Sequence, residues 1–304
     1  MFWSIAWSPC SMVRLKRSAV SALLILCPLI LFSLDYQWPV KNILLTGTFG
    51  EDRGDHFHSG IDLGGGEQEI YPVDQGELIF FYEESAPASR VPSGMGNFVV
   101  AEHTGGVRSL YAHLQESTED SRNYQLDPAV PLGVMGESGS SLGVHLHLSV
   151  IDSDTDNIVN PLLILPPLID TTHPNISGVF LVRGQEEIAL DERSEPVAAG
   201  RWDLRLEMHD QSEHSYYWPM APFRVTVYMN GSESVYMTYE FLSFRDGTHY
   251  LLNTPGFSHD TMYISETRIS LGEINLNPGE TRFEIVVADY AGNETVFQKA
   301  LAVR

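Results

Sequence analysis

After about residue 40 the apolar residues recur in short alternating runs, and helical spacing is scarce. In Arg201-Trp202-Asp203-Leu204-Arg205-Leu206-Glu207-Met208 every second residue is apolar. Strand side chains alternate between faces, so Trp202, Leu204, Leu206 and Met208 are expected to point into one core. Phe283, Ile285 and Val287 repeat the alternation. Phe223 to Tyr228 and Val235 to Phe241 flank Asn230-Gly231, a dipeptide that suits a two-residue hairpin turn because both residues tolerate positive φ. Gly94, Gly96, Gly105 and Gly106 bracket Asn97-Phe98-Val99-Val100-Ala101. The pattern predicts an all-β chain of short strands joined by turns.

The first 34 residues obey different rules. Arg14, Lys16 and Arg17 precede an uncharged run from Ala19 to Phe32. A basic cluster followed by an apolar stretch reads as a signal peptide or N-terminal membrane-anchor helix. The run is shorter than the roughly 20 apolar residues of a full span, and Pro28 interrupts it. Leu31 and Ser33 make a weak cleavage site, so cleaved and retained forms both stay open. Positive-inside logic places the remaining chain outside the cytoplasm.

A second boundary falls between Leu165-Pro166-Pro167 and His173-Pro174. Proline lacks an N–H to donate to a ladder, so three of them punctuate the pattern. Six of the 11 histidines lie before this point, at positions 56, 58, 103, 113, 145 and 147. The expected organisation is residues 1–34 as signal or anchor, 35–168 as a first domain and 169–304 as a β-sandwich. In the latter, Ala288-Asp289-Tyr290-Ala291-Gly292-Asn293 resembles the last-strand turn of bacterial immunoglobulin-like domains. The histidines at 209, 214, 249 and 259 are scattered there, as expected of exposed loop residues.

Charge and cysteine usage narrow the chemistry. The formal net charge is −22, and the first segment holds three of the 18 basic residues and none of the 40 acidic ones. A chain this acidic offers no face for a phosphate backbone, so nucleic acid is excluded as a partner. With 43% hydrophobic and 19% charged residues the chain is not disordered. Cys10 and Cys27, the two cysteines, both lie in the first segment. A metal site in the body must therefore use histidine and carboxylate.

Three segments carry such residues. His58-Ser59-Gly60-Ile61-Asp62 places a carboxylate four residues after an imidazole. In His145-Leu146-His147-Leu148 a strand would bury both leucines and point both imidazoles into one cavity. In Leu110-Tyr111-Ala112-His113-Leu114 alternation would put Tyr111 and His113 together on one face. Catalytic zinc takes three nitrogen or oxygen ligands and keeps a fourth position open. Two histidines and an aspartate meet that need, and further histidines remain to move protons.

Taken together, these segments resemble the lysostaphin/LytM-type zinc metalloendopeptidases, which cut peptide bonds in peptidoglycan. The likeness begins at Thr46-Gly47-Thr48-Phe49-Gly50 and continues through His58-Ser59-Gly60-Ile61-Asp62-Leu63, Tyr71-Pro72-Val73 and Gly76. It runs on through Gly96-Asn97-Phe98-Val99-Val100 with His103, Leu110 to Leu114, the glycines and serines from Gly136 to Gly143, His145-Leu146-His147 and Asn160-Pro161. Several motifs in order and at family-like spacing, over roughly Thr46 to Leu165, are more specific than any one alone. The resemblance implies a distorted antiparallel β-sheet or sandwich peptidase domain. It implies Zn2+ held by His58, Asp62 and His147, with His145 activating water and His113 bonding the water or the developing oxyanion. It implies peptidoglycan peptides as substrate, while the C-terminal domain is expected to meet the wall or an envelope protein. The family often carries Phe and Glu where Leu148 and Ser149 stand, a change expected to alter packing and not the metal. His56 is expected in an exposed loop, and His103 at a strand end in a structural role.

Other readings compete. Gly139-Ser140-Ser141-Leu142-Gly143 matches the Gly-x-Ser-x-Gly nucleophile elbow, but that motif needs a helix after it, and a strand pattern follows here. Asp152, Asp154 and Asp156 lack the glycine and glutamate of an EF-hand loop and are expected at a solvated hairpin tip. The principal alternative is a catalytically silent envelope scaffold or regulator of the same fold. That reading predicts gaps among the ligand positions, and none is present in the sequence.

Overall fold

The computed structural model describes residues 36–86, 93–115, 124–191, 195–211, 218–252 and 256–304. The expected N-terminal signal or anchor lies outside the described residues. Among the described residues no helix is long and apolar enough to cross a membrane.

Residues Asp35–Arg304 form one compact unit dominated by β-strands. The described helices are a single 3-10 turn, Pro161–Leu163, and the short helix His259–Met262. Strands Gly76–Tyr82, Asn97–His103, Val107–Leu114 and Leu146–Asp152 lie side by side in an antiparallel sheet. The short strand Ile61–Leu63 pairs with Leu146–Asp152. The tip after Asp152 is a tight turn in which Asp152 Oδ1 accepts the N–H groups of Asp154 and Thr155, using the first of the three aspartates for local bonds.

The C-terminal half is built on the alternation described above. Trp202, Leu204, Leu206, Met208, Phe283, Ile285 and Val287 are all buried. They belong to one apolar cluster shared by a five-stranded and a four-stranded sheet. Burying each such side chain is worth about 1.5–3 kcal/mol, so this cluster dominates the stability of the half. Asn230 and Gly231, at φ 53° and 80°, turn the hairpin between Arg224–Met229 and Ser232–Thr238.

The two halves share secondary structure. Phe241–Arg245 pairs with Ile158–Val159, and Thr248–Leu251 pairs with Phe241–Arg245 in turn, so both extend the sheet that begins with the first half. Asn160 is buried at the joint, where its side chain accepts from Leu162 N–H and donates to Tyr239 C=O. Phe49 and Phe57, from the first half, are packed in the C-terminal apolar cluster.

Candidate metal centre

Strand register brings two of the three expected ligands together. Asp62 on Ile61–Leu63 lies directly opposite His147 on Leu146–Asp152. Gly60 makes that approach possible, since a Cβ there would sit 2.3 Å from Leu148 O and 2.9 Å from His147 Nε2. His58 comes from a narrow two-armed loop over residues 48–58. Gly50 N–H donates to His58 O, His58 N–H to Glu51 O and Arg53 N–H to His56 O.

The three ligand atoms meet at one point. His58 Nε2 is 3.1 Å from Asp62 Oδ1 and 3.0 Å from His147 Nδ1, and His147 Nδ1 is 3.0 Å from Asp62 Oδ1. Their hydrogen bonds show what these atoms carry. His58 Nδ1–H donates to Thr48 O at 2.7 Å, so in the neutral ring Nε2 holds a bare lone pair. Ser149 gives its hydroxyl hydrogen to Ser59 O at 2.8 Å and therefore accepts from His147 Nε2–H at 2.9 Å. His147 Nδ1 is bare as well. Two imidazole lone pairs and a carboxylate oxygen thus converge without a hydrogen between them. Buried acceptors left so cost about 1–3 kcal/mol each, and a cation removes the conflict.

The spacing suits zinc. Ligands about 2.0–2.1 Å from a tetrahedral ion stand about 3.3 Å apart, close to the separations here. These three residues are the one group of metal-ligand type found among the described residues. Burial lowers His147, keeping it unprotonated and ligand-competent. The second oxygen of Asp62 accepts from Arg53 Nη2 at 2.7 Å, which leaves a single oxygen for the cluster.

His145 and His113 stand beside this cluster. His145 Nδ1–H donates to Gly143 O at 2.9 Å, which in the neutral ring leaves Nε2 bare, 3.7 Å from Asp62 Oδ1. Its side chain is 20% exposed against 5% for His58 and 6% for His147, so it is the imidazole open to an incoming molecule. His113 Nδ1–H donates to Ser138 O at 2.8 Å, and its ring centre lies 4.7 Å from that of His145. Burial, reinforced by His145 and His147, pushes His113 down to about 4, so it is neutral near pH 7.

His113 reaches the site in an unexpected way. Across the sheet Ala112 pairs with His147 and Tyr111 with Leu148. Residues directly opposite share a face, so strict alternation would send His113 into the core with Tyr111. His113 instead has φ 60°, a left-handed backbone that turns it toward the cluster. The expectation that Tyr111 and His113 share a face is therefore corrected. Tyr111 is fully buried, and its hydroxyl accepts from Val73 N–H and bonds Ser109.

Other histidines separate clearly. His56 is exposed and pairs with its neighbour Asp55. His103, buried at the end of its strand, bonds Gln75 O and Ser109 Oγ. His259 departs from the exposed-loop expectation. It is buried, opens the short helix and bonds Asp52 at 2.7 Å. The sequence reading also missed Ser149 as the partner of His147. Alternation could have found it, because Ser149 follows His147 by two residues on the same strand face. Arg53 had no such signal, since a loop carries it.

Residues 56–161 match the model of Peptidase family M23. A second family model matches residues 173–304. No curated protein matches the chain. Among solved structures, lysostaphin, an antimicrobial peptidase from Staphylococcus simulans, is 14% identical over 79% of this chain and 88% of its own, with TM-score 0.33. A zinc-containing peptidase from Vibrio cholerae is 21% identical over 38% of this chain and 36% of its own, with TM-score 0.32. A SpoIIQ–SpoIIIAH pore-forming complex is 18% identical over 43% of this chain and 90% of its own, with TM-score 0.36. At these identities and scores the structural matches do not bear on substrate or activity. Homology to family M23 over residues 56–161 and the His58–Asp62–His147 cluster together support a zinc metallopeptidase of that superfamily.

Proposed function

We propose that the protein is a zinc-dependent endopeptidase that hydrolyses peptide bonds in peptidoglycan stem peptides or crosslinks. The observation that carries this reading is the convergence of two imidazole nitrogens and a carboxylate oxygen beside a third, more exposed imidazole, His145. His58, Asp62 and His147 would hold the ion. When bound, zinc supplies Lewis acidity toward a carbonyl and lowers the pKa of water.

The remaining steps belong to the protein. His145 takes a proton at Nε2, because Gly143 O holds the Nδ1 hydrogen and thereby fixes the tautomer. His113, neutral with its Nδ1 hydrogen on Ser138 O, presents a hydrogen-bond acceptor at Nε2. It is therefore suited to align water. Donating to an oxyanion would require a second proton that burial opposes. Arg53 neutralises the outer oxygen of Asp62 and orients the carboxylate.

The reading extends to place and architecture: an exported envelope protein, with a peptidase domain over 35–168 and an immunoglobulin-like β-sandwich over 169–304 that meets the wall or an envelope partner. The test is to purify the chain from about residue 35 onward, measure bound zinc, and follow crosslink cleavage in peptidoglycan with and without chelator. Zinc near one equivalent and chelator-sensitive cleavage are expected. A protein that holds no zinc and cuts neither peptidoglycan nor glycine-rich peptides is a scaffold.

A further inference from the structure

The loop that carries His58 is anchored in the other half of the protein. Its two aromatic residues, Phe49 and Phe57, are 1% and 0% exposed and sit in the C-terminal apolar cluster, not in the cluster beneath the metal-site strands. Phe57 meets His259 edge-on at 5.6 Å and Tyr263 at 5.9 Å. Three hydrogen bonds cross the same boundary. His259 Nε2 bonds Asp52 Oδ1 at 2.7 Å, Tyr263 Oη–H donates to Gly50 O at 2.7 Å, and Thr48 Oγ1 lies 2.9 Å from Ala221 O. Gly50, at φ 85°, lies flat against Tyr239, where a Cβ would be 2.2 Å from the ring.

These contacts surround the peptide groups that orient the ligand. Thr48 contributes the carbonyl that holds His58 Nδ1–H, and Gly50 N–H bonds the carbonyl of His58 itself. A shift of this loop would move Nε2 of His58 relative to Asp62 and His147, which ride on paired strands. Two of the three ligands are thus set by sheet register and the third by packing against the C-terminal half.

We infer that His259 and Tyr263 are positioning residues for the metal site, acting through Asp52 and Gly50 to hold the His58 loop in ligand geometry. On this account the C-terminal sheets are part of the metal-binding machinery. The inference rests on the proposed zinc reading for its consequence, although the brace can be measured without metal.

The experiment uses the chain from about residue 35 onward with Tyr263→Phe, which removes one hydroxyl, and His259→Phe, which keeps a ring against Phe57. Ile285→Val, a cavity-forming change on strand Gly279–Ala288 in the same apolar cluster, is the control. Zinc affinity is read by competition with a chromogenic chelator, and amide exchange of Gly50 and His58 is read in metal-free protein. Outer partners of metal ligands are worth about 10- to 100-fold in affinity. A roughly 10-fold weaker affinity and faster exchange at both amides are expected in the two Phe variants, with both readouts unchanged in Ile285→Val. Wild-type exchange and affinity in both Phe variants overturn the inference, as does an equal loss in the control. If the wild-type protein holds no zinc, the zinc reading fails and loop exchange alone decides the brace.

Discussion

His147 donates its Nε2 hydrogen to Ser149 Oγ at 2.9 Å, and this bond leaves Nδ1 bare toward Asp62 and His58. Ser149 has its own hydrogen committed to Ser59 O, so it is held as an acceptor. Ser149→Ala should weaken zinc binding by about 10- to 100-fold while leaving the fold intact, because the ring would be free to change tautomer and tilt. Calorimetric titration of zinc into the metal-free variant checks this. An unchanged affinity would mean that strand geometry alone orients His147.

His145→Ala should keep its zinc and lose turnover by about 10²- to 10⁴-fold, the usual contribution of a positioned general base. His147→Ala should lose the metal itself. Metal analysis of both variants beside a cleavage assay separates the roles, and zinc loss from His145→Ala would make His145 a ligand.

His113 occupies left-handed backbone at φ 60°, a conformation that costs a residue with a Cβ about 1–2 kcal/mol. Replacing it by glycine should therefore give a more stable protein than replacing it by alanine, by about 1 kcal/mol, the reverse of the order found in ordinary strands. Both variants should lose activity. Denaturant unfolding of the pair gives the difference directly.

Asp210 carries a pH dependence unrelated to the metal centre. It is buried, its Oδ1 has no hydrogen-bond partner, and burial followed by repulsion from Asp289 raises its carboxyl to about 8 from an ordinary 3.8. The folded protein therefore keeps a proton that the unfolded chain has released. Stability is highest below the unfolded value and falls as pH rises toward about 8, with no further loss from this group above it. Asp210→Asn should remove that slope, so its stability relative to wild type should grow by a few kcal/mol, on the order of magnitude linkage allows, between about pH 4 and pH 8. Thermal melts across that range measure it, and parallel curves would show that the carboxyl is already ionised in the fold.

The sequence by itself determined the β character, because period-two alternation is a local property that burial rewards at once, as at Trp202 to Met208. It also determined the composition of the candidate site. With both cysteines in the first segment, His58, Asp62, His113, His145 and His147 were the available donors in motif spacing. Tertiary structure decided the rest. Whether two imidazoles offer lone pairs or hydrogens depends on Thr48 O and Ser149 Oγ, and neither bond is written in spacing. The inward turn of His113 is a single backbone dihedral that breaks alternation, and alternation was the rule used to place it. The burial of His259 against Asp52, 207 residues away in the chain, follows from long-range packing of a loop into a distant core. Local pattern selects which residues face inward, whereas the partners they meet there are set by contacts between segments far apart in sequence.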